Sequence, residues 1–475
     1  MDSDDRRHRL EGKTITMHNV NKTVRSLLLV TVALFSAWGC SDLQSPSFND
    51  PSTEELQGSP DRAEIAGAAV GLIDGQRGTW QTEFVENLGV FGREAYDLRP
   101  EEPRTITERL IDPLIGENDY WENQYEQLQN AYLLLSAADS AETLSEAERE
   151  AIRGFTKTFM AQSFWEVVIM HEPLPVPVDV NRAPTDSLAP LVEPGQVYQT
   201  VFTLFDEAAG HLDAAGGSFP FDLPAGFANF STPSEFRQLN RALKARALKY
   251  RGRWGDVLTA LDGSFIDTTR SFDYGAYFDY STQSGDATNG LAAQRGSNWF
   301  AHPRLWRDAR QQNSGDRDLR AQEKLSGIDA YTLRGITVTE VFDVYTSLSD
   351  PIPWIQNVEL ILIRAEANRA LENDQEAIRD LNTVRTRAGG LEPLASSFSG
   401  DLLGEILYDK RYSLMFEGGF TYLDAMQYGR TADQPDELPR LDETHVVYPR
   451  YPYPNNECLA RGIEDDPGCQ PVEGF

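Results

Sequence analysis

The sequence predicts a mostly α-helical protein whose scaffold pairs helices in the manner of tetratricopeptide repeats and carries one loop-rich, partly irregular face. Apolar side chains recur at helical spacing in several segments, and helix caps and glycine or proline breaks group these segments into pairs. Between residues 252 and 353 the composition shifts to aromatic residues, Ser, Asn and Gly. Each pair can bury its apolar stripe only against its neighbours, which favours stacked repeats; an ordinary helical bundle is the alternative.

The clearest helical pair lies in the first half of the chain. Residues 118–138 carry an apolar stripe at spacings of four and three. The stripe consists of Trp121, Tyr125, Leu128, Tyr132 and Leu135. Ser145 and Glu148 then form a capping box, in which the hydroxyl accepts from the third helical amide and the carboxylate bonds back to the cap. A second helix is therefore expected to start after Ser145.

Later helices have similar starts. Pro194 opens one of them, and Thr232 with Glu235 caps its partner. Nearer the C-terminus, Asn373 and Glu376 cap a helix that ends before two consecutive glycines.

These signals predict one domain, residues 63–475. Its helical scaffold covers about 115–260 and 352–430, and a loop-rich insertion covers about 262–352. The insertion contains two fragments with the residue types of short strands, 331–333 and 335–345.

The N-terminus carries a targeting signal. A lysine and an arginine precede an apolar run over residues 27–35, which is too short to span a bilayer about 30 Å thick but suits a cleaved secretory signal. Small residues and Cys40 follow, an arrangement that resembles a bacterial lipobox with Cys40 as the lipid attachment site. We expect a signal peptide over 1–39 and a tether, rich in Ser, Pro, Asp and Gln, over 40–62.

With Cys40 assigned to lipid, two cysteines remain near the C-terminus. Cys458 and Cys469 are close enough in sequence to form a disulfide in an oxidising compartment; two unpaired thiols are the alternative. A structural zinc site would need four ligands, and no His or Cys pair lies nearby, so neither a metal nor a cofactor is predicted. No later stretch reaches the roughly 18 apolar residues of a membrane span, so membrane contact is expected through the lipid anchor only.

The composition restricts the class of ligand. Asp and Glu number 74 against 43 Lys and Arg, so the formal net charge is −31. This charge repels nucleic acid and anionic lipid headgroups, and it disfavours sulfated or uronic-acid-rich glycans unless local basic pockets intervene. A neutral or cationic ligand fits better. The alternative is a solvated acidic surface that says nothing about the ligand.

Several motifs occur in the same order as in one protein family. The most specific is Leu381-Asn382-x-Val384-Arg385-x-Arg387-Ala388-Gly389. The other matching segments are Cys40 and residues 170–175, 315–320, 352–367, 411–418 and 451–457. In this order they resemble the SusD/RagB family of outer-membrane lipoproteins, over nearly all of the mature chain.

The resemblance implies a tetratricopeptide-like scaffold with an irregular ligand face. It also implies a partner, a SusC-like TonB-dependent outer-membrane transporter, on which the lipoprotein acts as a hinged lid. The expected localisation is the outer membrane, lipid-anchored and exposed at the cell surface. The SusD branch takes starch and the RagB branch takes peptides, so the resemblance does not choose between an oligosaccharide and a peptide ligand.

Two loop-like stretches, residues 80–99 and 274–306, combine aromatic side chains with hydrogen-bonding groups. Sugar rings require this combination, because their C–H faces stack on aromatic planes while their hydroxyls bond to carboxylates, amides and guanidinium groups. The candidate ligand-binding residues are Trp80, Arg93, Tyr96, Asp97, Tyr277, Tyr280, Asn298 and Trp299. The alternative for each aromatic residue is packing against the scaffold.

The favoured function is the capture of oligosaccharides, or of another nutrient such as peptides, for delivery to a transporter without catalysis. A secreted helical glycoside hydrolase and a structural protein-interaction repeat are the alternatives. A glycosidase needs two carboxylates about 5–10 Å apart, and among 74 acidic residues nothing in the sequence selects such a pair. The sequence contains no Gly-x-Ser-x-Gly, His-Glu-x-x-His, Walker or Gly-x-Gly-x-x-Gly motif.

Overall fold

The structure, a computed structural model, describes residues 56–101, 110–111, 119–183, 185–429 and 449–473. The predicted signal peptide, Cys40 and most of the predicted tether lie outside these residues, so all three remain predictions. Among the described residues, no helix is both long enough and apolar enough to cross a membrane.

The first half of the described chain is a series of helices. They are α1 (Arg62–Thr79), α2 (Leu88–Phe91), α3 (Asp119–Ser140), α4 (Glu146–His171), α5 (Pro194–Ala214), α6 (Pro233–Tyr250) and α7 (Trp254–Asp262). A π-helix, Trp80–Asn87, joins α1 directly to α2, and a 3-10 helix, Ala225–Phe230, precedes α6. Helical structure thus begins well before the predicted start near residue 115. The sequence pattern does not predict α1, because four glycines lower its helix propensity and interrupt its apolar pattern.

Three of these helices begin with a complete capping box. The boxes are Asp61 with Glu64 at α1, Ser145 with Glu148 at α4, and Thr232 with Glu235 at α6. In each box the first side chain accepts from the amide of the acidic residue, whose carboxylate accepts from the amide of the first residue. The boxes predicted for α4 and α6 are therefore confirmed.

The second half has shorter helices before a longer C-terminal group. They are α8 (Gly290–Ala293), α9 (Pro303–Arg307), α10 (Leu319–Lys324), α11 (Asn357–Ala370), α12 (Asp374–Arg387), α13 (Leu402–Ser413), α14 (Phe420–Tyr428), α15 (Asn455–Arg461) and the 3-10 helix Pro467–Cys469. The predicted start of α12 is confirmed, but its predicted cap is wrong. The Asn373 side chain makes no cap hydrogen bond, because it turns back toward Asn368 at the end of α11.

Short strands join the helices. They are β1 (Ala95–Asp97), β2 (Leu110–Ile111), β3 (Val176–Pro177), β4 (Leu191–Val192), β5 (Gly275–Phe278), β6 (Trp299–Ala301), β7 (Leu325–Leu333), β8 (Ile336–Phe342), β9 (Ile352–Gln356) and β10 (Val472–Glu473). One antiparallel sheet has the order β1-β6-β8-β7, and two-stranded ladders pair β2 with β10, β3 with β4 and β5 with β9. The strand fragments predicted in the insertion are confirmed within β7 and β8. Arg334 and Gly335 both have positive φ, which suits the two-residue turn between these strands.

A close helix crossing brings α4 against α5. A Cβ atom on Gly154 of α4 would lie 2.5 Å from Leu212 Cγ and 3.0 Å from the carbonyl oxygen of Ala208. Glycine is therefore required at this crossing, since any side chain would push the two helices apart.

A buried polar cluster joins α1, α3 and α4. The carboxylate of Glu166 accepts from Gln76 Nε2 at 2.6 Å, from Gln162 Nε2 at 2.7 Å and from Gln124 Nε2. Burial raises the pKa of Glu166 to about 7 even though the three amides oppose this shift. Each of the three helices contributes at least one partner, so the cluster sets how they pack.

A buried charge network joins α6, α11, α13 and α14. Lys410 Nζ lies 2.9 Å from Glu366 Oε1 and 3.0 Å from Asp424 Oδ1. Lys249 Nζ lies 3.3 Å from Glu366 Oε2 and also donates to Asp424. All four side chains are buried. Burial opposes ionisation of Asp424, but the two ammonium groups hold its pKa below the ordinary value.

Replacing Lys410 by methionine should lower the free energy of unfolding by about 3–5 kcal/mol, because it leaves Glu366 and Asp424 buried with one cation between them. Urea denaturation followed by circular dichroism measures this loss. The matched control is Lys157→Met on α4, since the partly exposed pair of Lys157 and Glu207 should contribute about 0–1 kcal/mol. Equal losses in the two variants would contradict the role assigned to the buried network.

Candidate functional site

The two stretches that the sequence singles out meet in one sheet. β1 and β6 pair antiparallel, with Asp97 opposite Trp299. The amide of Leu98 donates to the carbonyl oxygen of Asn298 at 2.9 Å. The structure therefore brings Tyr96, Asp97, Asn298 and Trp299 together, although the two strands lie far apart in the sequence.

An arginine–carboxylate pair covers the indole of Trp299. Arg99 Nε lies 2.9 Å from both carboxylate oxygens of Asp97, and Arg99 Nη2 lies 2.5 Å from Asp97 Oδ2. The guanidinium carbon is 5.5 Å from the centroid of the Trp299 ring, within cation–π range. The Asp97 side chain is buried, whereas that of Arg99 is 36% exposed. The pair thus presents fixed, planar hydrogen-bond donors beside an aromatic ring.

A second arginine lies over Tyr280. The guanidinium carbon of Arg77 on α1 is 5.4 Å from the Tyr280 ring centroid. Arg77 Nη1 donates to the carbonyl oxygen of Asp279 at 2.9 Å and to the carboxylate of Asp286 at 3.0 Å. The Tyr280 hydroxyl is buried with no hydrogen-bond partner among the described residues, and burial raises its pKa. A buried hydroxyl without a partner is costly, so a ligand group or an ordered water would be favourable there.

Glu86 on the π-helix lies within electrostatic range of both arginine–aromatic pairs. Its Oε1 atom accepts from Gln81 Nε2 at 3.1 Å. Burial raises the pKa of Glu86 to about 8; nearby carboxylates act in the same direction, while Gln81 and Arg99 oppose it. Glu86 in turn helps to raise the pKa of Tyr280. At neutral pH the Glu86 carboxyl is therefore largely protonated and can donate a hydrogen bond.

We call this group the arginine–aromatic surface. It comprises Arg77, Gln81, Glu86, Asp97, Arg99, Tyr280, Asn298 and Trp299. Trp299 is 3% exposed and Tyr280 is 7% exposed, because both rings pack into the hydrophobic core and each has a guanidinium group over one face. A ligand would therefore meet the Arg99 guanidinium and the half-buried Glu86 carboxyl before either ring or the buried Asp97. Among the described residues, no group of three or more His, Cys, Asp or Glu side chains could hold a metal ion.

Three of the predicted ligand-binding residues lie in the core. Trp80 belongs to the π-helix and not to a loop; its side chain is fully buried, and its Nε1 donates to the carbonyl oxygen of Pro353 at 2.9 Å. Tyr96 stacks on His302 and packs in an apolar cluster formed by side chains of β1, β6 and β8. Arg93 is 1% exposed. These side chains offer no surface to a ligand, because neighbouring residues already cover them.

Tyr277 and Asn298 are half-buried, and the protein already uses polar atoms of both. The Tyr277 hydroxyl donates to the carbonyl oxygen of Asp273 and accepts from Gln356 Nε2 at 3.1 Å. Asn298 Nδ2 donates to Gln294 Oε1 at 3.0 Å. Both residues stay candidates, and ligand hydroxyls would have to replace or extend these hydrogen bonds.

The sequence did not indicate Arg77, Gln81 and Glu86. The last two lie five residues apart, a spacing that shares a face in a π-helix but not in an α-helix. Neighbours on an α-helix are three or four residues apart, so an α-helical pattern does not place Gln81 beside Glu86. We find no other signal in the sequence that would have done so.

Comparison with known proteins shows the fold. No protein-family model matches the sequence, and no curated protein matches it. A laminarin binding SusD-like protein matches with a TM-score of 0.62 at 18% identity, over 84% of this chain and 97% of that chain. A SusD-like carbohydrate binding protein from Bacteroides fragilis matches with a TM-score of 0.64 at 15% identity, over 88% and 95% of the two chains.

NanU from B. fragilis also matches, with a TM-score of 0.59 at 13% identity, over 90% of this chain and 99% of that chain. At these identities the similarity concerns the fold. The chain thus has the SusD-like fold, and the predicted fold class, a mostly helical and tetratricopeptide-like scaffold, is confirmed. The family resemblance that the ordered motifs indicated is confirmed at this level.

The pKa of Glu86 predicts a pH dependence of stability. The folded state holds the Glu86 proton up to about pH 8, whereas the unfolded chain releases it near pH 4.5, so the parent protein should lose stability as pH rises through this window. Glu86→Gln carries no such proton. The free energy of unfolding of Glu86→Gln, minus that of the parent, should therefore rise by more than about 1 kcal/mol between about pH 4.5 and pH 8 and then level off. Partial exposure of the Glu86 side chain makes this rise smaller than it would be for a fully buried carboxyl group.

Urea denaturation at a series of pH values measures this difference. The matched control is Glu142→Gln, which changes an exposed carboxylate in the loop between α3 and α4. A difference between Glu86→Gln and the parent that stays flat from pH 5 to pH 8 would show that Glu86 is ionised throughout.

Proposed function

We propose that this chain is a non-catalytic binding protein that captures an oligosaccharide on the arginine–aromatic surface. The observation that carries the proposal is the pair of Asp97 and Arg99 held over Trp299. Sugar hydroxyls need fixed planar hydrogen-bond donors, and the Arg99 guanidinium, 36% exposed above the buried ring, presents them. The SusD-like fold supports the proposal, since two of the matching structures are named as laminarin binding and carbohydrate binding.

The charge balance of the surface favours a neutral ligand. Arg77 contacts the carboxylates of Asp74 and Asp286, and Arg99 contacts that of Asp97. No excess positive charge remains to attract uronic acids or sulfate esters against the net charge of −31. A neutral glycan needs no such charge, and its hydroxyls can use the remaining guanidinium and carboxyl groups.

A glycosidase at this surface is less well supported. Glu86, with its raised pKa, has the property of a general acid. The carboxylates beside it are Glu83 and Asp97, and both are 3% exposed. Glu83 accepts from Asn87 and Tyr451, and Asp97 accepts from Arg99 through both oxygens. A nucleophile or base must be free to reach the sugar or a water molecule. Asp97 could do so only by giving up its arginine.

We further propose that the protein works at the outer membrane. In this proposal Cys40 carries the lipid anchor, residues 40–62 form the tether, and residues 63–475 form one ligand-binding domain. The bound ligand passes to a SusC-like TonB-dependent transporter. The signal-like N-terminus and the SusD-like fold support this assignment.

Isothermal titration with neutral oligosaccharides, starting with laminarin fragments, tests the binding function, and chromatography of the ligand afterwards tests for cleavage. We expect saturable binding without products, and weaker binding of uronic-acid oligosaccharides and peptides. Arg99→Ala should lower the affinity for the best neutral glycan at least about 10-fold, equivalent to about 1.4 kcal/mol, because it removes the donors beside Trp299.

The matched control is Arg379→Ala, since Arg379 is an exposed arginine paired with Glu376 of its own helix. Its affinity for the glycan should equal that of the parent. Cleavage of the ligand would favour the hydrolase, and tighter binding of peptides than of any glycan would overturn the choice of ligand class.

A further inference from the structure

A groove of about 610 Å³ shares no lining residue with the arginine–aromatic surface. Its walls are α3, the segment of residues 177–183 and 185–189, and α15. Its volume falls within the range of about 300–1,000 Å³ that is typical of ligand pockets.

Cross-links hold the walls of the groove in place. The Tyr125 hydroxyl on α3 donates to the carbonyl oxygen of Pro177 at 3.0 Å. Arg461 Nη1 on α15 donates to the carbonyl oxygen of Ala189 at 2.8 Å. The predicted disulfide between Cys458 and Cys469 is present and closes the loop that follows α15. The groove is therefore preformed, and binding would cost little conformational entropy.

The groove has an apolar floor and an apolar rim. Trp121 and Tyr125 of α3 line it together with Val180. Leu188 on the rim is 50% exposed, one of a small number of large apolar side chains that stay so exposed among the described residues. Covering this side chain would remove apolar surface from water, so a partner with an apolar group of its own would be favoured there.

The amide side chains of the groove are already engaged within the protein. Asn456 donates to the carboxylate of Glu122, and Gln129 donates to the carbonyl oxygen of Val180. The groove therefore lacks free amides for the hydroxyls of a glycan.

The charge of the groove is negative. Its two arginines are paired, Arg182 with Asp179 and Arg461 with Glu457. Glu126 and Asp186 are exposed at the rim, and Glu122 lies beside them on α3. Carboxylates around an apolar floor attract cations and repel anions.

We propose that this groove docks a linear segment of a partner protein that presents an aliphatic side chain flanked by lysine or arginine. The aliphatic side chain covers Tyr125, Val180 and Leu188, and the flanking cations face Glu126 and Asp186. The site is independent of glycan binding, because the two surfaces share no residue.

Fluorescence anisotropy of the purified full chain with a labelled Lys-Leu-Lys-Leu-Lys peptide tests the proposal, with Glu-Leu-Glu-Leu-Glu as the comparison probe. We expect saturable binding of the lysine peptide and none of the glutamate peptide. Leu188→Lys and Glu126→Lys should each weaken binding at least about 10-fold, because each places a cation against a cationic ligand. Thermal unfolding of both variants should match the parent, since both residues are exposed.

The matched controls are Leu459→Lys and Glu142→Lys. Leu459 is 57% exposed on α15, and Glu142 is exposed beyond α3, but neither lines the groove. Both controls should bind the lysine peptide as the parent does. The proposal is overturned if the controls weaken binding as much as the groove variants, if the two peptides bind equally, if neither binds, or if laminarin fragments displace the lysine peptide.

Discussion

Two lysines and two carboxylates must stay charged and paired in the interior of this protein. Removing a charge from water is expensive, and the attraction between partners repays this cost only while all of them are present in good geometry. Lys249, Glu366, Lys410 and Asp424 come from four different helices, α6, α11, α13 and α14. Because the loss of any one of the four leaves a buried charge without its full set of partners, their pairing constrains how these helices lie against one another.

The same interior positions the candidate site. Arg246, one turn before Lys249 on α6, bonds to Glu359 through two nitrogens and to the carbonyl oxygen of Trp354 in β9. Its guanidinium also lies 5.1 Å from the ring of Trp80. The Trp80 indole in turn donates to the carbonyl oxygen of Pro353. The π-helix is thereby tied to the charged scaffold, and its outer face carries the polar residues of the arginine–aromatic surface.

Charge distinguishes the two surfaces of the molecule. On the arginine–aromatic surface each arginine is matched by carboxylates, which leaves planar donors and acceptors without a strong net field and suits an uncharged, hydroxyl-rich ligand. In the groove beside α15, the amide and arginine side chains bond to other groups of the protein, and exposed carboxylates surround the apolar side chains. The two surfaces thus differ in chemistry, because local pairing of charges decides the character of each surface and the total charge does not.

The sequence by itself indicated the caps of α4 and α6, two strand fragments of the insertion and the disulfide, because these depend on residues that are near one another in the chain. It also indicated Asp97 and Trp299, whose residue types suit a glycan. Only the tertiary structure decided that Trp80 is buried in the core and that Glu86 lies half-buried beside Gln81. The hydrogen bonds of a π-helix span five residues, and the bond from Trp80 to Pro353 joins segments far apart in the sequence, so no α-helical pattern could have revealed either contact.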